Sequence, residues 1–169
     1  WACTFDNVTK QKKVYKDGIL IGQVISPSAF IGDGSSTRLG ANVYGGDEYD
    51  GSIDEVRVWT KVLSQSEIQS NLGCEIAAQP GLVAAYHFNQ GIDGADNTSE
   101  TTLTDATGNS SNDGSLQNFA LNGSSSNWIS PGGVVTGTAC SPCYVNIPDA
   151  NFKTYLLAQA AINTNSDGE

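Results

Sequence analysis

The chain has 169 residues and a formal net charge of −10, which excludes the phosphate-neutralising surface needed to bind nucleic acid and disfavours an anionic membrane. Nineteen glycines, no methionine and a charged fraction of 15% describe short strands joined by polar turns, an all-β composition suited to an extracellular protein that binds divalent cations or neutral glycans. No run approaches the roughly 18 apolar residues of a membrane span, so no membrane insertion is expected.

Trp1, Cys3 and Phe5 alternate with Ala2 and Thr4, the two-residue period of a strand, and Asp6-Asn7 opens a polar turn. Residues 14–25 read as two strands broken at Asp17-Gly18, a dipeptide that supplies the positive φ of a tight hairpin. A loop at Pro27 precedes short strands predicted near Phe30-Ile31 and over residues 37–39. Residues 40–51 are glycine-rich and acidic and read as a loop or distorted hairpin.

The clearest signal lies in residues 51–68. From Ile53 to Thr60 the alternation puts Asp54, Val56 and Val58 on one strand face and Glu55, Arg57 and Trp59 on the other. Ser64 stands three residues before Glu67, the capping-box spacing, and Leu63 and Ile68 are placed as its hydrophobic staple. Gly73 is positioned to stop this short helix in a left-handed turn. Residues 81–91 then read as a strand with Leu82, Ala84, Tyr86 and Phe88 on one face. Beyond a long polar stretch, Phe152, Tyr155 and Leu156 fall at helical spacing behind Pro148 and a candidate N-cap, Asp149.

The string Gly-Ser-Ile-Asp-Glu-Val-Arg-Val-Trp from Gly51, followed by Leu-Ser-Gln-Ser-Glu-Ile from Leu63, resembles the closing segment of laminin-G-like domains. These are concanavalin A-like jelly rolls, a group that includes the pentraxins. The runs Trp1 to Asp6 and Val14 to Gly18 are similar to earlier strands of the same family. The resemblance covers Trp1 to about Leu72. It implies an antiparallel β-sandwich with one short helix and places Trp1 inside a domain whose front strands precede it. Residues 81–91, with 102–116 and Trp128, resemble the family's opening strands, as found trailing this motif in bacterial surface proteins. Residues 145–169 resemble the leading edge of leucine-rich-repeat regions of secreted bacterial proteins. The implied organisation is a truncated C-terminal part of a laminin-G-like domain over 1–73 and a trailing β segment over 74–140, closing the same sandwich or opening a second. A truncated repeat or EF-hand-like region with a short helix follows over 141–169.

Four cysteines occur, Cys3, Cys74, Cys140 and Cys143. The Cys140-Ser-Pro-Cys143 pair has no second pair or histidines beside it and makes a weak zinc pattern. A disulfide between Cys74 and Cys140 is expected instead, implying an oxidising compartment. That leaves Cys143 to pair beyond the chain and Cys3 as a buried strand residue.

Calcium is the candidate cofactor. Asp54, next to an apolar face, must be satisfied. It is either a calcium ligand, the role its counterpart has in some relatives, or a cap on neighbouring amides or an arginine. Asp50, Asp47 and Glu48 are its possible partners. The pentraxin double-calcium set is not matched, because Ala41, Asn42 and Val43 follow Leu39-Gly40. Asn163, Asn165, Asp167 and Gly168 fit positions 1, 3, 5 and 6 of an EF-hand-like loop. Tyr44 and Tyr49, with the Asp47 and Glu48 carboxylates, could hold the apolar face and hydroxyls of a sugar. For Tyr49 the favoured alternative is core packing, since the family often has an aromatic before the glycine that opens this strand.

Catalysis finds no support. The single histidine, His87, has no nucleophile at a recognisable spacing. A glucanase pattern begins at Glu48-Tyr49-Asp50 but fails at Ser52 and Ile53. The sequence therefore points to a non-catalytic, secreted or cell-surface binding module for carbohydrate or an extracellular adhesion partner. A structural spacer and an accessory domain of a polysaccharide-degrading enzyme are the alternatives.

Overall fold

The structure, a computed structural model, describes residues 1–32, 37–42 and 46–140. It is mostly β with one short α-helix. Strands β1 (Ala2–Asp6), β2 (Gln11–Lys16) and β3 (Ile19–Ile25) form an antiparallel sheet in that order. The hairpin between β2 and β3 turns where expected, with Asp17 at φ 50° and Gly18 at φ 72°. Glycine is needed here twice over. The left-handed backbone favours it, and an added Cβ would stand 2.5 Å from Gln69 Cγ.

The turn between β1 and β2 is held by Asp6 Oδ1, which accepts hydrogen bonds from the amides of Val8 and Thr9. On the outer face Lys12 lies over the Phe5 ring and Lys16 over Trp1, their aliphatic stems shielding apolar surface. The strands predicted near Phe30 and over 37–39 do not form. Phe30 is positioned by its amide donating to Asn7 Oδ1 at 2.8 Å and by edge-on contact with Phe5, so a side chain takes the role a ladder would have had. Cys3, expected to be buried, is exposed, because its face of β1 has no covering layer among the described residues.

The second sheet pairs strands far apart in sequence. Strand β4 (Val56–Trp59) runs antiparallel to β5 (Leu82–Tyr86), with Val56 opposite Tyr86 and Trp59 opposite Leu82. Between them lies helix α1 (Gln65–Ser70), opened by Ser64 with both halves of the capping box present. The bonds from Ser64, with help from the Lys61 ammonium, hold the Glu67 carboxyl at about 2 instead of 4.5. The helix stops at Asn71, φ −103°, and not through a left-handed Gly73. Arg57 donates to the Asn71 carbonyl and the Leu72 amide to that of Gln69, so carbonyls that a glycine cap would serve are already taken. Ile68 from α1 is buried, and Gln69 Nε2 donates to the Gly18 carbonyl at 3.1 Å, tying the helix to the first sheet.

Strands β6 (Thr102–Leu103) and β7 (Gly114–Ser115) form a small antiparallel pair. The intervening loop seals the outer edge of β5. Ala85 donates to Asp105 Oδ1, Ala106 donates to the Ala85 carbonyl, and Asn112 Nδ2 donates to the Val83 carbonyl. An open strand edge is thereby satisfied by side chains and loop amides. Ile76, Ala84, Ala85, Leu103 and Leu121 are buried around this sheet, and Tyr15 of β2 is buried as well. Cys74 and Cys140 are joined in the expected disulfide, with Glu75 bridging Ala139 beside it. Among the described residues no helix is long and apolar enough to cross a membrane.

Candidate functional site

The acidic loop keeps its carboxylates in water. Asp47, Glu48, Tyr49 and Asp50 are all exposed, and the loop is pinned by the Tyr49 amide donating to the Gly40 carbonyl at 2.8 Å. Asp47 adopts φ 51° and accepts from Asn42 Nδ2 at 2.7 Å. The Tyr49 ring folds back over the Gly51 backbone and leaves its outer face free, 59% of the residue being exposed. The Tyr49 ring is thus open to solvent, and the core packing expected for it does not occur. Tyr44 lies outside the described residues.

Asp54 has a different task. Its Oδ1 accepts from the Glu55 amide at 3.0 Å and its Oδ2 from the Val134 amide at 2.9 Å, across a separation of 80 residues. Gly132 makes this approach possible, since a Cβ there would fall 2.5 Å from Oδ2. The carboxylate thus caps backbone amides and fastens the end of the trailing segment to the start of β4. Asp50 is not drawn into that contact. Among the described residues no group of three or more His, Cys, Asp or Glu side chains is placed to hold a metal ion. Asn163, Asn165 and Asp167, like the predicted C-terminal helix, repeat and Cys143, lie outside the described residues.

Glu55 adopts φ 50° just before β4 begins. It shares a face with Arg57 as the alternation requires, and this charged face is the one turned inward. The Glu55 and Arg57 side chains are only 8% and 13% exposed, while Val58 is 44% exposed. Glu55 Oε2 meets Arg57 Nη2 at 2.8 Å and Oε1 meets His87 Nδ1 at 2.8 Å. Arg57 also donates to the carbonyls of Asn71 and Cys74. This cluster joins β4, the exit of α1, the disulfide and the residue after β5. It ties His87 to a carboxylate and not to a hydroxyl or thiol nucleophile.

Two further polar knots were missed by sequence reasoning. Asp105, 2% exposed, accepts from the Ala85 and Thr107 amides, Thr107 Oγ1 and Asn112 Nδ2. Burial acts to raise its carboxyl, but these hydrogen bonds outweigh it and hold the group below its ordinary 3.8. Asn97, 4% exposed, accepts from the Ile92 amide and donates to the carbonyls of Ile92 and Ala95 and to Asn127 Oδ1. The available signal for the first was Asp105 two residues before Thr107, the spacing of an Asx turn.

Residues 1–69, which hold β1 to β4 and most of α1, match the laminin-G-like family model of the concanavalin A-like lectin/glucanases superfamily. No curated protein and no solved structure matches the chain.

Proposed function

We propose that the protein is a non-catalytic binding module of a secreted or cell-surface protein, recognising carbohydrate or an extracellular adhesion partner. The observation that carries this reading is the match of residues 1–69 to a lectin and glucanase superfamily. The Cys74–Cys140 disulfide supports an oxidising, extracellular setting. The family implies a jelly-roll sandwich, and in this reading the trailing segment belongs to the same unit, since β5 adds to β4 and the disulfide clips its far end. The exposed Tyr49, with Asp47 and Glu48, and Tyr44 are the first ligand-contacting candidates. Calcium support is assigned to the Asn163, Asn165 and Asp167 run, because Asp54 has both oxygens engaged by amides. The bacterial surface origin and the repeat region belong to the same reading.

The test is a glycan array probed with the 169-residue chain in calcium and again in chelator. Saturable binding supports a lectin-like module, and its loss in chelator supports the calcium assignment. A folded protein that binds no glycan in either buffer sinks the carbohydrate reading and leaves protein adhesion or a spacer role.

A further inference from the structure

A cleft of about 380 Å³ opens beside the end of β4, and none of the acidic loop residues 46–50 lines it. Its walls include Trp59, Lys61, Glu67, Asn71, Ile76 and Gln79. Lys61 Nζ sits 5.4 Å from the centre of the Trp59 ring and also bonds Glu67 Oε1 at 2.9 Å. The lysine is thus held between an aromatic face and the carboxylate of the capping box, which itself accepts from Ser64. The volume lies at the lower end of the roughly 300–1,000 Å³ typical of small-ligand sites, a size for one or two rings.

From these features we infer that the cleft is a carbohydrate subsite, taking a neutral sugar ring against the part of the Trp59 indole that Lys61 does not cover, with its hydroxyls toward Asn71 and Gln79. A sugar has an apolar face of C–H groups, which an indole matches, and a rim of hydroxyls that both donate and accept. Primary amides do the same. The cleft carries no uncompensated charge at its centre, because Lys61 and Glu67 neutralise each other. It therefore favours a neutral ring over a uronic acid or an amine. That the cleft takes carbohydrate rests on the binding reading above.

The test titrates the full chain with a panel of neutral mono- and disaccharides, read by calorimetry and by tryptophan emission. The expected result is saturable binding that falls about tenfold in Trp59→Ala and several-fold in Gln79→Ala. Trp59→Phe, which keeps an aromatic face, should retain binding within a few-fold while losing the emission change. Gln79 is exposed, so its substitution reports on the cleft even if Trp59→Ala fails to fold. Glycan binding untouched by Gln79→Ala and Trp59→Phe, with the emission change persisting in the latter, overturns the subsite and leaves the binding reading standing. No sugar binding by the folded parent overturns both.

Discussion

Replacing Asp105 by alanine should cost about 2–4 kcal/mol. The figure follows from its partners. The Ala85 amide belongs to a residue with no exposed surface, and losing its acceptor strands a buried donor at about 1–3 kcal/mol. Thr107 and Asn112 are only half-buried, so water takes over much of their bonding and their loss adds about 1 kcal/mol more. Asp105→Asn keeps the shape and one acceptor, and should recover roughly half of the loss.

The pH dependence is equally specific. The folded carboxyl sits below its ordinary 3.8, so its stabilisation is complete above that value and disappears as pH falls through the lower, folded one. Urea unfolding followed by tryptophan emission at pH 7 and at successive steps below pH 4 gives both quantities. The gap between parent and Asp105→Ala should narrow on acidification. A gap under ~0.5 kcal/mol at pH 7, within the range of an ordinary surface change, or one that stays constant into acid, would refute the argument.

Removing the disulfide with paired Cys74→Ser and Cys140→Ser changes should lower stability by about 4 kcal/mol, from chain entropy over a separation of 66 residues; urea midpoints with and without reductant check this. Arg57→Ala should cost about 3 kcal/mol or more, because Glu55 is left buried and two carbonyls lose their donor. Thermal melts should place it well below Lys61→Ala, whose ion pair with Glu67 is exposed. Glu67→Gln should cost about 0.5–1 kcal/mol at pH 7. That difference should fade between pH 4.5 and 2, since the folded carboxyl is held at about 2.

What the sequence revealed was local. The capping box at Ser64 and Glu67 and the Asp17-Gly18 hairpin each complete themselves within a few residues, so spacing alone carries them. What it concealed was pairing at a distance. Asp54 answers to Val134, Glu55 to His87 and β4 to β5, and no periodicity encodes such partners. Nor does alternation say which face of a strand turns inward: Glu55 and Arg57 share a face as their spacing requires, yet that charged face is buried while Val58 is exposed. In the candidate ligand loop the glycine-rich, acidic composition marked an exposed segment, and Tyr49 lies exposed with it because its ring found no core to enter.

Strand β4 has one more consequence, for the order in which the molecule is made. Its neighbours come late: β5 follows by more than twenty residues, the Val134 amide by 80, and the second cysteine closes the set. During synthesis the first hairpins can form as they emerge, while β4 waits with its inward-turned Glu55 and Arg57 only partly answered. Such a high-contact-order unit should fold slowly and settle only once residue 140 has cleared the ribosome. The Cys74–Cys140 disulfide then fixes with one covalent bond a register that the nascent chain could not hold.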